Sequence, residues 1–117
     1  MDERLLLRTA IDLIKEKKGQ NTVVIDLSDS SVPTSYFVIT EVDNPVHAKA
    51  IVSNLMKNFP ITMQHREGET ERRWVVLDYG DIMIHIFLSE ARAFYDIEAL
   101  WSDHIIEEDA LVKLTEC

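Results

Sequence analysis

The sequence predicts an α/β (α+β-like) domain in which a mixed sheet of about five strands is packed against helices. Three observations predict it: runs rich in β-branched and aromatic residues recur along the chain, two longer segments have helical spacing, and a polar break at 78–81 joins two apolar runs. A length of 117 residues suits a single domain, 1–117. Residues 107–117 predict a polar tail or a weak helix.

Two segments show the spacing of amphipathic helices. Residues 2–18 carry an apolar stripe and end in a lysine-rich turn, where Gly19 predicts the C-terminal stop. The second helix begins at the Asn-Pro pair 44–45, because a capping side chain precedes a proline suited to the first helical position. We expect it to run to about Asn58, since Pro60 ends it.

The remaining elements are shorter. The first two strands are predicted at residues 22–27 and 36–40, which are rich in β-branched and aromatic residues. The second is apolar along almost its whole length, which predicts a central strand covered on both faces. Residues 61–66 predict a third strand. Beyond residue 88 the strand alternation stops, and the segments 89–95 and 96–102 predict two short helices.

The stretch from Trp74 to Phe87 is the most informative part of the chain. Its two apolar runs flank Asp78-Tyr79-Gly80-Asp81, a pattern typical of a β-hairpin in which Gly80 supplies a positive φ. Alternation places Trp74 and Tyr79 on opposite faces of the first hairpin strand. Both faces of the hairpin carry large apolar side chains, so we expect one face to need a cover, either a helix or another protein.

Composition narrows the classes of function. Twenty-one acidic and twelve basic residues give a net charge of −9, which argues against a broad nucleic-acid footprint but allows a protein partner with a basic surface. Cys117 is the only cysteine, so an intrachain disulfide is excluded and a reducing compartment fits. The charged first fifteen residues do not resemble a signal peptide, and no apolar run approaches the roughly 20 residues that span a bilayer. We expect a cytoplasmic protein without a membrane partner.

No motif predicts catalysis. The sequence lacks a Walker loop and a Gly-x-Gly-x-x-Gly motif, and its four histidines lack the spacing of a zinc site, so we expect no cofactor, no metal and no enzyme activity. One alternative stays open: Asp26, Asp78 and Asp81 could hold Mg²⁺ in a divergent nucleotidyltransferase. Because aspartate is also a favoured turn residue, structural roles are the preferred interpretation.

Six of the nine aromatic residues follow residue 73, where core and interface roles are equally supported. They are Trp74, Tyr79, Phe87, Phe94, Tyr95 and Trp101. His85 lies in mid-strand among isoleucines. We interpret it as a half-buried histidine satisfied by a neighbouring backbone or carboxylate group, in preference to a polar anchor on a binding face.

Five segments together resemble the ribosomal silencing factor family (RsfS, also called YbeB or Iojap). They are 24–28, 35–39, 47–51, 74–87 and 94–101, and they follow the family's order and spacing across roughly residues 5–101. The hairpin and the Phe-Tyr-Asp…Leu-Trp segment are the specific parts. Two departures, at Ser35 and at Thr40–Pro45, lead us to expect altered loop geometry there without an effect on the hairpin.

The resemblance implies a nucleotidyltransferase-like fold without nucleotidyltransferase chemistry. It implies binding to the large ribosomal subunit through ribosomal protein L-fourteen, which blocks joining of the small subunit and lowers translation under nutrient limitation. The partner-binding residues carried over are Trp74, Asp78, Tyr79, Asp81, His85, Phe87, Phe94, Tyr95 and Trp101. Trp74 and Tyr79 are the predicted anchors, and Gly80 is a turn requirement. A homodimer of the free protein, formed through the hairpin face, is compatible with this function.

Overall fold

A computed structural model describes residues 3–106, so the predicted tail at 107–117 lies outside the described residues. The helices are α1 (Glu3–Glu16), α2 (Pro45–Asn58), α3 (Ser89–Tyr95) and α4 (Ile97–Leu100), and a 3₁₀ turn follows at Ser102–His104. The strands are β1 (Gln20–Asp26), β2 (Tyr36–Val42), β3 (His65–Glu67), β4 (Trp74–Asp78), β5 (Ile82–Leu88) and β6 (Ile105–Ile106).

All six strands form one sheet in the order β3-β4-β5-β2-β1-β6. The central pair, β2 and β5, is parallel and the other pairs are antiparallel, which confirms the predicted mixed sheet. The sixth strand was not predicted, because β6 has two residues and pairs only with Val24 and Ile25 of β1. The third strand is shorter than the predicted 61–66, since only His65–Glu67 pairs with β4.

The start of α2 follows the predicted capping pattern. The Asn44 side chain accepts a hydrogen bond from the His47 backbone N–H at 2.9 Å, and Pro45 occupies the first turn. The end of α1 differs in detail, because Lys18 and not Gly19 adopts the left-handed conformation, with φ +61°. Gly19 is instead required by close packing: a Cβ there would lie 2.4 Å from the Ile14 side chain. Within residues 3–106, no helix combines the length and apolarity needed to cross a bilayer.

Helices α1 and α2 cover one face of the sheet and form the larger core. Their apolar sides pack on the inward residues of the central strands, among them Val38, Leu77 and Ile84, which are fully buried. On β2, Val38 and its neighbour Ile39 point to opposite faces and are both fully buried, so the prediction of a strand covered on both faces is confirmed.

The opposite face, called here the open face, is only partly covered. Helices α3 and α4 lie on it and bury a small second core of Ile25, Leu27, Ile39, Phe87 and Ala91. The hairpin is therefore covered by helices on both of its faces. Helices α1 and α2 cover the first face completely, whereas α3 and α4 cover the open face only in part.

Candidate functional site on the open face

The hairpin arranges the open face in cross-strand rows. Trp74 pairs with Phe87, Val76 with His85, and Asp78 with Met83. Directly paired residues on one face lie close enough for their side chains to interact. The hairpin therefore carries an aromatic row at one end and an acidic side chain beside a methionine at the other.

An aromatic cluster, formed by Trp74, His85, Phe87 and Tyr95, occupies the end of the open face next to α3. The Trp74 ring stacks on Phe87 with centroids 5.0 Å apart, and Tyr95 of α3 lies 4.8 Å from Trp74. Phe87 is buried, whereas Trp74 is partly exposed and Tyr95 is 44% exposed. The adjoining Phe94 is 77% exposed. The cluster thus presents aromatic surface to solvent above a buried base.

His85 is held by the indole of Trp74. The Trp74 Nε1–H donates a hydrogen bond to His85 Nδ1 at 3.0 Å, and the histidine is only 4% exposed. This differs from the predicted half-buried ring with a backbone or carboxylate partner, because the side chain of Trp74 reaches diagonally across the strand pair to cover it. Burial lowers the pKa of His85 to about 4. The neutral ring therefore carries its proton on Nε2, which has no hydrogen-bond partner among the described residues.

Tyr79 lies on the opposite side of the sheet from Trp74, as alternation predicts. Its ring packs edge-on against Phe59, with centroids 4.7 Å apart, and it is 5% exposed. Burial raises the pKa of the Tyr79 hydroxyl to about 12, and the hydroxyl has no hydrogen-bond partner among the described residues. The structure therefore places the two predicted anchors on different faces, and only Trp74 belongs to the open face.

The turn residues hold the hairpin in shape. Gly80 has φ +92°, which confirms the predicted positive φ, and its N–H donates to Asp78 Oδ1 at 2.8 Å. The Asp81 carbonyl accepts hydrogen bonds from the backbone N–H groups of Ser35 and Tyr36, both at 2.9 Å. The Asp81 carboxylate itself is exposed.

The three aspartates of the nucleotidyltransferase alternative do not converge, because Asp78 and Asp81 line one cleft but Asp26 lies apart from Asp78. Asp26 ends β1 and Asp78 ends β4, so three inter-strand spacings, or roughly 14 Å, separate them. Asp26 Oδ1 instead accepts hydrogen bonds from the N–H and hydroxyl of Ser28. Among residues 3–106, no group of three or more His, Cys, Asp or Glu side chains is placed to hold a metal ion.

Comparison of the sequence with models of known protein families identifies the family of this chain. The model described as "Ribosomal silencing factor during starvation" matches residues 1–116. The chain belongs to the ribosomal silencing factor family. The resemblance predicted from the sequence is thereby confirmed.

Individual relatives agree with the family assignment. A ribosomal silencing factor of Halalkalibacterium halodurans is 30% identical over 106 residues, covering 88% of this chain and 91% of the relative. A mouse protein named "Mitochondrial assembly of ribosomal large subunit protein 1" is 28% identical over 98 residues, covering 79% of this chain and 43% of that protein. A crystal structure of a Chromobacterium violaceum protein superposes with a TM-score of 0.82 at 27% identity, covering 87% of this chain and 88% of that one.

The α3–α4 segment is fixed by an arginine that sequence reasoning missed. Arg92 of α3 bonds Glu98 through Nε at 2.7 Å, and its Nη1 bonds Glu41 at 3.0 Å and the Asn21 carbonyl at 2.6 Å. Its side chain is 11% exposed. No local sequence signal reveals this arrangement. The Asn21 carbonyl that accepts from Arg92 lies where the pairing of β1 with β2 shifts register, and Asn21 has φ +48° there.

Glu41 is kept ionised by this arrangement. Burial opposes ionisation of its carboxyl, but hydrogen bonds from Ser89 and Asn21 together with the charge of Arg92 outweigh burial and lower its pKa. Trp101, the last predicted site residue, packs on the second core and lies edge-on to His104 at 5.7 Å, apart from the aromatic cluster. Trp101 therefore belongs to the second core and not to the aromatic cluster.

Proposed function

We propose that this protein binds the large ribosomal subunit, prevents the small subunit from joining, and so lowers translation when nutrients are limiting. The observation that carries the proposal is the family match across residues 1–116, to a model whose description names ribosomal silencing during starvation. The name of the mouse relative, which refers to the ribosomal large subunit, supports the choice of subunit.

The partly exposed aromatic cluster is the proposed contact surface. Trp74 and Tyr95 offer aromatic surface on a base of buried Phe87 and His85, and Phe94 extends the surface along α3. Aromatic side chains on a rigid base are the residues that carry most binding energy in protein interfaces. We expect Trp74 to be the main anchor, with Tyr79 stabilising the hairpin from the other face.

The proposed partner on the subunit is ribosomal protein L-fourteen. A net charge of −9 favours a basic protein surface and disfavours direct contact with RNA, because phosphate groups would be repelled. In this proposal the protein acts in the cytoplasm as a steric block and not as an enzyme. The separation of Asp26 from Asp78 supports this choice over the enzymatic alternative, which needs the three aspartates around one metal ion.

The free protein is proposed to pair with itself through the same surface. Phe94 and Leu100 are 77% and 78% exposed, and large apolar side chains exposed to this degree are often covered by a partner. Light scattering over a dilution series tests this, and a constant monomer mass at all concentrations would contradict it.

Sucrose-gradient profiles test the main proposal. Purified large and small subunits, taken for instance from Bacillus subtilis, are mixed with increasing amounts of the protein at a magnesium concentration that permits association. We expect free subunits to accumulate and the protein to co-sediment with the large subunit only. Full association at saturating protein, or co-sedimentation with the small subunit, would overturn the proposal.

A further inference from the structure

A cleft of about 390 Å³ opens at the end of the open face away from the aromatic cluster. It lies between the hairpin turn at 79–81 and the loop that leads into β2. Its walls include the apolar side chains Val32, Phe37 and Met83, and its rim includes the polar side chains Gln64, Asp78 and Asp81. No lysine or arginine of the described chain lines it.

The cleft is held in shape by hydrogen bonds between the loop and the hairpin turn. Thr34, which is 5% exposed, donates from Oγ1 to the Gly80 carbonyl at 3.0 Å. The N–H groups of Ser35 and Tyr36 donate to the Asp81 carbonyl. A site built before binding loses little conformational freedom when it is occupied, so even a small cleft can contribute affinity.

The two carboxylates at the rim differ in the hydrogen bonds that they already accept. Asp78 uses Oδ1 to accept the Gly80 N–H, which leaves Oδ2 for a partner. The Asp81 side chain is exposed, and no ion pair or hydrogen bond from another described residue neutralises it. Negative charge therefore collects at the mouth of a cleft whose walls are apolar.

We propose that this cleft receives a lysine or arginine side chain of the protein partner. The aliphatic stem of such a side chain matches the apolar walls, and its charged end pairs with Asp78 and Asp81. The ring of Phe37 offers a cation–π contact. Phe37 also packs edge-on against His85 at 4.6 Å, so one bound protein can cover the cleft and the aromatic cluster together. The inference rests on the proposed function for the identity of that protein.

Two charge-neutralising variants separate the contribution of the cleft to binding from the general effect of net charge. Asp81→Asn removes one charge of the cleft, and Asp29→Asn removes one charge from a different depression, which Asp26 and Asp103 also line. In co-sedimentation with purified large subunits over a range of salt concentrations, we expect Asp81→Asn to bind about tenfold more weakly, with a shallower salt dependence. We expect Asp29→Asn to remain within about twofold of wild type. Equal effects of the two variants, or none for Asp81→Asn, would overturn the proposal.

A second variant and a second probe separate this inference from the proposed function. Asp78→Asn keeps an oxygen to accept the Gly80 N–H, so the hairpin folds while the cleft loses a charge. In NMR titrations, a short arginine peptide should shift the signals of Phe37 and Met83, whereas the same peptide with neutral citrulline should not. If these shifts occur but subunits do not bind, the proposed function fails and the cleft assignment stands. If subunits bind but the two peptides behave alike, the cleft assignment fails alone.

Discussion

The indole N–H of Trp74 donates a 3.0 Å hydrogen bond to Nδ1 of His85, and this bond couples a partly exposed ring to a buried one. It fixes the orientation of the indole and requires that His85 be neutral, because a protonated ring has no acceptor at Nδ1. The side chain proposed as the main anchor is therefore positioned by a histidine that is itself only 4% exposed.

Replacing Trp74 tests the anchor role. We expect Trp74→Ala to weaken binding to large subunits by at least about 2 kcal/mol, the scale of an interface hot spot. Val46→Ala is the matched control, because Val46 is a 76% exposed apolar residue on α2, away from the open face. Unchanged co-sedimentation of a folded Trp74→Ala protein would remove this residue from the interface.

The burial of His85 predicts a dependence of stability on pH. Its pKa is about 4 in the folded state and about 6.5 when unfolded, so the unfolded chain binds more protons between these values. The free energy of unfolding should therefore fall as pH is lowered from about 6.5 to about 4, by an amount of order 3 kcal/mol. Urea denaturation at pH 7 and pH 4.5 measures the loss. In His85→Phe the loss over this range should become much smaller, and an equal loss in the variant would assign it to other groups.

Tyr79 is predicted to act through stability alone. Tyr79→Phe removes a buried hydroxyl without a described partner and keeps the ring against Phe59, so stability should be unchanged or up to about 1 kcal/mol higher. Binding to large subunits should equal that of wild type. Tyr79→Ala should instead lower stability by about 3 kcal/mol or more through the cavity it leaves. Loss of binding in a stable Tyr79→Phe protein would show that the hydroxyl contacts the partner.

Arg92 is predicted to secure α3 and α4 to the sheet. Arg92→Met leaves the largely but not fully buried Glu41 without its positive partner, and we expect a loss of about 2 kcal/mol in thermal or urea unfolding. Arg73→Met is the control, because both partners of its ion pair with Glu90 are exposed and the pair should contribute at most about 1 kcal/mol. Hydrogen exchange should show faster opening of α3 in Arg92→Met only. Similar losses in both variants would contradict the assignment.

The parts of the structure that sequence predicted well are those with local signals. The Asn44-Pro45 start of α2 and the Gly80 turn follow from capping and backbone preferences of a few adjacent residues. Features that depend on distant partners were missed. Arg92 meets groups from β1, β2 and α4, and β6 exists only because β1 offers a place to pair.

The candidate site likewise has some features that the sequence predicts and others that depend on distant contacts. Alternation placed Trp74 and Tyr79 on opposite faces, but it could not show which face the longer helices would cover. That choice buried Tyr79 and left Trp74 at the surface. The partner of His85 was also beyond sequence reasoning, because a diagonal contact between strands depends on side-chain conformation and not on residue type alone.

Both described edges of the sheet are poorly suited to pairing with another chain. The β3 edge offers only three residues, His65, Arg66 and Glu67, all exposed and charged or titratable. At the other edge β6 has two residues, and the bulge at Asn21 interrupts β1 beyond it. Self-association of the described domain is therefore expected to proceed through side chains and not through main-chain hydrogen bonds. Such association leaves no long strand edge on the described domain to which further chains can add, which disfavours growth into fibrils.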